Sequence, residues 1–318
     1  MVSSRESFEI FLNEAWAYLT LEERGEKRLP VPLILQTLWQ MAVAPNDARA
    51  IKAPVPPPGL YEVTRQFLGE TIPHRCALQT PDREFIDLTG HVEALAAQLE
   101  RLATGRPAEA AGETEEKALK FLPTCYLHVF PKAPSAANWR IGINVLPDSM
   151  PQAMRQFTQL LFDRDDISQI KLMAPGNAAK CDSVLVYLDR RPETYEALRD
   201  RIVELATPLA VAPTVSRMWE EIAPGIGEAG EPPMEHDLYF NFSGYRCLVL
   251  YLAFSTYRYR HRPDSFDGFK KRLASIMKLF GLDFDAPHLQ NPLPAELMES
   301  SGRSFLRGYL DLKRAWLQ

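Results

Sequence analysis

The chain lacks the pairings of cysteine and histidine that metal and redox sites are built from. Its four cysteines, Cys76, Cys125, Cys181 and Cys247, lie far apart, and no CxxC occurs. A zinc ribbon and a thioredoxin-like motif are thereby excluded, and four reduced, mostly buried thiols are expected. Six histidines (His74, His91, His128, His236, His261, His288) are scattered, with none at metal-ligand spacing. GxxxxGK[ST], GxGxxG after a strand, GxSxG and HExxH are missing too. That argues against a P-loop enzyme, a Rossmann dehydrogenase, a serine hydrolase and a zinc protease. No metal and no cofactor are expected. Long apolar runs are also absent. The longest, around Cys247–Phe254, is core-length, well short of the roughly 20 residues of a membrane span. Residues 1–10 (MVSSRESFEI) carry Arg5, Glu6 and Glu9 and no apolar core, so no secretory signal is read there. The expected location is the cytoplasm where the chain is made, or a host cell if it is exported by a route that needs no hydrophobic signal.

What is present is ordinary globular material. Of 318 residues, 46% are hydrophobic and 24% charged, which suffices for a sizeable core. That length allows one large domain or two modest ones. The net charge of -5 gives no reason to expect nucleic acid or an anionic membrane as a partner.

Periodicity divides the chain. The first third reads as helical, with Phe8, Phe11, Leu12, Ala15, Trp16 and Leu19 at helical spacing. A second helix is read over Val31–Val43 and others over Tyr61–Leu68 and Gly90–Leu102, with a proline-rich elbow at 53–59. Residues 104–118 (TGRPAEAAGETEEKA) resemble a linker. The expected division is therefore 1–118, helical, and 119–318. Beyond it, Cys125–Phe130, Trp139–Leu146, Ile167–Met173 and Ser183–Leu188 read as strands. Asp148–Phe162, with Ser149 as N-cap, and Pro192–Ala206 read as helices. Helices over Ser243–Tyr257, Asp264–Leu279 and Ser300–Leu317 form the tail. The class is α+β: a helical N-terminal region, a mixed or antiparallel sheet with helices on one face, and a helical C-terminal tail.

The candidate chemistry lies in polar residues inside strands. Arg140 and Asn144 sit four apart in WRIGINVL, on one face of a strand. Lys171 interrupts the apolar run Ile170–Met173, Lys180 and Asp182 precede the strand that carries Tyr187, and Arg246 follows Phe242-Ser-Gly-Tyr. One such cation is most simply a solvated or paired surface charge. Four of them converging would form an anion site, most naturally for phosphate. His128 stands in an alternating strand, most simply on its polar face.

These same residues resemble the HopA family of type III effectors, over about Tyr126–Phe254. The likeness is carried by R-x-G-x-N at Arg140–Asn144, the lone Lys171, K-C-D-S-V-L-V-Y at Lys180–Tyr187, I-A-P-G-I-G-E-A-G-E-P-P at Ile222–Pro233 and F-S-G-Y-R-C at Phe242–Cys247. Relatives of that family include HopA-like proteins encoded with class V lanthipeptide and thioamitide pathways. The resemblance implies a metal-independent lyase that eliminates phosphate from phosphoserine or phosphothreonine in a peptide or protein, leaving a dehydroamino acid. A cognate kinase would be a further partner. Elimination needs a base for the α-proton, donors for the carbonyl oxygen and cations for the phosphate. Lys171 is the expected base, with Tyr187 or His128 as acid. Arg140, Asn144, Lys180 and Arg246 are expected to hold the phosphate.

Two departures from the family pattern stand out. Lys180 replaces an Arg, and Glu220-Glu221 stand where Lys-Arg is the pathway form. The acidic pair motivates an alternative expectation, a non-catalytic effector-like or accessory protein that grips a partner.

Overall fold

A computed structural model describes residues 3–24, 29–43, 65, 75–80, 84–107, 112–122, 125–131, 136–174, 181–238, 240–260 and 265–317. The proline-rich elbow, most of 61–68 and Lys180 fall outside them. The α+β expectation holds, with helical regions at both ends of the chain. The chain forms two compact units. One contains residues 1–48, 216–221 and 229–318; the other contains 49–215 and 222–228.

The sheet of eight strands runs β2-β1-β3-β5-β6-β4-β8-β7. Its strands are β1 (Arg75–Gln79), β2 (Phe85–Asp87), β3 (Tyr126–Phe130), β4 (Trp139–Ile143), β5 (Ile167–Met173), β6 (Val184–Leu188), β7 (Glu220–Ala223) and β8 (Ile226–Gly230). The β1–β2, β1–β3, β3–β5, β5–β6 and β4–β6 pairs are antiparallel. Four of the eight, β1, β2, β7 and β8, have no counterpart in the sequence reading. They are short, and in β2, β7 and β8 Gly or acidic residues also dilute the apolar alternation that marks a strand.

Alternation sorts the side chains into two faces. Leu78, Leu127, Val129, Ile141, Ile143, Ile170, Leu172, Val184, Val186 and Leu188 share one face and are fully buried. Helix α5 (Met150–Asp163) packs on β5, and its buried stripe of Met150, Ala153, Met154, Phe157, Leu160 and Leu161 supplies the apolar partner. Ser149 stands at the N-cap of α5, but its hydroxyl makes no cap. It accepts a hydrogen bond from Ala210 N at 3.1 Å instead, tying a distant loop to the helix start. Residues 104–118 are not wholly linker. Helices α3 (Val92–Ala103) and α4 (Glu113–Phe121) flank the turn at Gly105, and α4 buries Ala118. Helix α6 (Tyr195–Ala206) also belongs to this unit.

The other unit is built from α1 (Ser4–Arg24), α2 (Val31–Val43), α7 (Phe242–Arg260), α8 (Phe266–Leu279) and α9 (Ser300–Leu317). Helix α7 packs against α2, α8 and α9. Its first turn explains the residue types of F-S-G-Y-R-C. Asn241 Oδ1 accepts from Gly244 N at 2.8 Å and caps the helix. Tyr245 donates its hydroxyl to Phe280 O at 2.7 Å. Gly244 leaves room for the Phe240 ring, which also packs at a tilt against Trp316, with centroids 5.1 Å apart.

A Cβ at Gly244 would overlap the Phe240 ring and the Asn241 side chain. Gly244→Ala is therefore expected to lose about 1–3 kcal/mol of stability through overpacking, although alanine is the better helix former. Urea unfolding of the intact chain measures this. A variant as stable as the parent would show that the ring gives way freely.

Candidate functional site

Strand register brings most of the sequence candidates onto the polar face of the sheet. Arg140 on β4 is the direct partner of Tyr187 on β6, and Tyr187 in turn faces Gln169 on β5. His128 on β3 faces Lys171 on β5. Cross-strand partners and residues two apart share a face. One surface of the sheet therefore carries Arg140, Tyr187, Gln169, Lys171, His128, Tyr126 and, on β1, Gln79.

Part of this face is enclosed. His128 and Arg140 are each 4% exposed and Tyr187 8%, while Gln79, Tyr126, Gln169 and Lys171 are half-buried. A buried charge needs compensation, and rings and amides provide part of it. The Arg140 guanidinium lies 5.0 Å from the centre of the Tyr187 ring. The Lys171 ammonium sits 4.0 Å above the Tyr126 ring and donates to Gln79 Oε1 at 3.0 Å. Both contacts suit an ammonium, because a π face attracts a cation and an amide oxygen needs a donor. Burial, then the Asp182 carboxylate, pushes the Tyr126 phenol well above its ordinary value.

His128 is strongly perturbed. Its Nε2 lies 3.4 Å from the same Gln79 Oε1, and its ring packs edge-on to Phe85 and stacks on Phe130. Burial first, and the Lys171 charge second, hold its pKa well below 6.5; the Gln169 side chain works in the opposite sense. At neutral pH the ring is uncharged. A neutral imidazole of lowered basicity is a poor proton donor, so the structure weighs against His128 as the acid and leaves it as a proton acceptor.

Three candidates are placed differently. Asn144, directly after β4, has structural work. Its Nδ2 donates to Thr214 O at 3.0 Å and to Thr214 Oγ1 at 3.1 Å. Its N–H donates to Gly225 O at 2.9 Å, and its carbonyl accepts from Ala212 N at 2.8 Å. Arg246 belongs to the helical unit. Its Nε donates to Pro287 O at 2.8 Å, and Nη2 reaches His288 O at 3.4 Å and Leu289 O at 3.2 Å. The guanidinium also stacks on Phe242 at 3.7 Å, and the residue is 3% exposed. These bonds make it a clamp on the 287–289 turn. Lys180 lies outside the described residues. Glu220, one of the two departures, is engaged inside the helical unit, accepting from Ser4 N at 3.2 Å and lying 3.6 Å from His288 Nδ1.

Sequence reasoning missed Gln79 and Tyr126. Tyr126 was within reach, because it shares the phase of His128 two residues on. Gln79 was not, because its region read as helical. All four cysteines are buried, and none forms a disulfide. Among the described residues no three His, Cys, Asp or Glu side chains gather as a metal site, and no helix is long and apolar enough to cross a membrane.

The state of His128 carries a consequence for stability. Below about pH 6.5 the unfolded chain takes up a proton that the native ring refuses. Stability is therefore complete above that pH and falls as the pH drops towards the native pKa, by about 1.4 kcal/mol per unit. His128→Gln should flatten that limb in urea midpoints taken between about pH 7 and pH 5. Superimposable profiles for the parent and the variant would contradict a buried neutral ring.

The comparisons agree with this architecture. The model of the HopA1 effector protein family matches residues 120–289, more than half of the chain. The effector protein from Pseudomonas syringae pv. tomato strain DC3000 has a similar structure, with a TM-score of 0.59 at 16% identity, covering 90% of this chain and 96% of its own. The effector protein from Pseudomonas syringae pv. syringae strain 61 is similar too, at a TM-score of 0.57 and 15% identity, covering 92% of this chain and 100% of its own. At such identities the likeness is one of fold. No curated protein matches the sequence. On the family match, the chain belongs to the HopA1 effector protein family.

Proposed function

We propose that this chain is a carbon–oxygen lyase that removes phosphate from phosphothreonine or phosphoserine in a peptide or protein. The observation that carries the reading is one sheet face holding Arg140, Lys171 and a neutral His128 together. In the reaction a base takes the Cα proton, the electron pair forms the Cα–Cβ double bond, and the Cβ–O bond breaks. Inorganic phosphate leaves with the oxygen and its electron pair. Arg140 and Lys171 are the cations for the phosphate and for the charge that builds on the carbonyl oxygen. Tyr187, stacked on Arg140, is the hydroxyl at hand to protonate the leaving group.

The contacts favour exchanging the roles expected from sequence. Lys171 is held as an ammonium by a ring face and an amide oxygen, whereas His128 is an uncharged imidazole with a free lone pair. His128 is therefore assigned as base and Lys171 as electrostatic stabiliser. The low basicity of the free ring is not fixed. A phosphate dianion entering the face would offset the Lys171 charge and raise the affinity of His128 for a proton. As a member of an effector family the chain is read as acting inside a host cell. A ribosomally made precursor peptide, phosphorylated by a cognate kinase, is the other source of such a substrate.

One observation favours the alternative, a partner-binding effector without catalysis. His128, Arg140 and Tyr187 are each more than nine-tenths buried, so a substrate reaches them only if something opens.

The test is incubation of the full chain with phosphothreonine peptides, following phosphate release and the loss of one phosphoric acid by mass. His128→Asn is expected to slow elimination about 10²–10⁴-fold, and Lys171→Ala about 10²–10³-fold. Arg140→Ala should act mainly on KM. The acid limb of kcat/KM should lie below about pH 6.5, where a free lysine base would put it far higher. Binding of the phosphopeptides with no phosphate released would favour the partner-binding reading. Neither binding nor release would defeat both.

A further inference from the structure

Gln79 lies outside the family-matched span, in a region that the sequence presents as helical. Pairing of β1 with β3 nonetheless sets it opposite Tyr126 and beside His128 and Lys171. We infer that Gln79 is the positioning residue of this face, whose amide oxygen fixes His128 as the Nε2–H tautomer and leaves Nδ1 as the bare nitrogen. The inference rests on the lyase reading for its chemistry, and on contacts alone for its geometry.

Lysine settles which end of the amide is the oxygen. An ammonium has donors and no acceptor, so the atom 3.0 Å from Lys171 Nζ must accept. The same oxygen lies 3.4 Å from His128 Nε2. An uncharged ring donates from only one nitrogen, and here that nitrogen is Nε2. Nδ1 then carries the lone pair. It is buried and makes no hydrogen bond of acceptable geometry, although Gln169 lies near enough to influence the ring. A buried nitrogen without a partner is costly and uncommon. At a site that must abstract a proton, it is the feature required.

Gln169 bears on the ring in the sense that favours its protonation, without a geometric hydrogen bond to Nδ1, and the other neighbours leave the assignment to Gln79. Across β1 stands Ala77, and Phe85 and Phe130 flank the ring. Lys171 is the charged group that acts on it, and it too is held by Gln79. The amide is a neutral acceptor. A carboxylate there would fix the same tautomer, but it would also draw a proton onto the ring. Glutamine orients the base without charging it.

Two-bond 1H–15N correlation spectra of the labelled full chain test this without any substrate, the His128 signals being identified by their loss in His128→Asn. His128 is expected to be uncharged at neutral pH, protonated on Nε2 and bare on Nδ1. Gln79→Met keeps the length, removes the acceptor, and should let the ring populate both tautomers. Gln79→Glu keeps the acceptor, so it should hold the Nε2–H form and move the titration midpoint upward. A parent ring protonated on Nδ1, or a tautomer unchanged in Gln79→Met, would overturn the assignment. If Gln79→Met does not fold, Gln79→Glu decides, since an unmoved midpoint excludes contact. With a verified phosphopeptide, Gln79→Met should lower kcat about 10-fold or more with little change in KM, and Gln79→Glu should shift the acid limb upward. Failure of these kinetic effects with the tautomer confirmed would count against the lyase reading and leave the positioning role standing.

Discussion

Register is the constraint on which the polar face depends. Every strand places its side chains alternately, so a slip of one residue would send His128 and Lys171 to the apolar side and Val129 and Ile170 to the polar one. The apolar face resists such a slip, because it buries Leu127, Val129, Ile170, Leu172, Val184 and Val186 completely. Packing of one face thus fixes the chemistry of the other. The pairs His128–Lys171 and Arg140–Tyr187 are direct cross-strand partners. Their separation is set by strand spacing, which leaves little freedom to a flexible side chain.

Two cations on a partly buried face need partners. Aromatic rings and an amide supply some of them, and both interact favourably with a cation. Lys171 lies against Tyr126 and Gln79, and Arg140 against Tyr187. Burial first, and the Lys171 charge second, hold His128 uncharged. The placement of that lysine and the basicity of the histidine are thus coupled.

Much of this was legible in the sequence, and the reason differs from element to element. Helix Ser300–Leu317 and strand Ile167–Met173 announce themselves by long, regular apolar spacing. The face bearing Arg140, Lys171, His128 and Tyr187 followed from alternation within single strands, since each residue interrupts an apolar run. Gln79 is different, because its meaning comes from partners 49 and 92 residues away. Nothing within RCALQ signals that pairing, and three-residue Phe85–Asp87 is too short to show a period. Glu220–Ala223 and Ile226–Gly230 hide for another reason: their glycines and acids weaken any strand signal.

The motifs that carry the family likeness divide by task. Gly225, at φ +71°, makes the β7–β8 turn where a Cβ would overlap Ala212 O. Asn144 ties that turn and the 212–214 loop to the end of β4. Ser183 donates to Ile143 O and Val145 O, at 3.0 and 2.9 Å, joining β6 to the same place. Arg246 and Tyr245 serve the helical unit. Each of these residues satisfies buried backbone groups, and such work constrains residue type as tightly as catalysis does. A recurring Arg or Asn in this family is therefore no evidence of chemistry by itself. Arg140 differs because its contacts include a ring, on a face shared with a second cation and an uncharged imidazole. Function is better sought where such side chains gather on one face than in the residue whose type recurs.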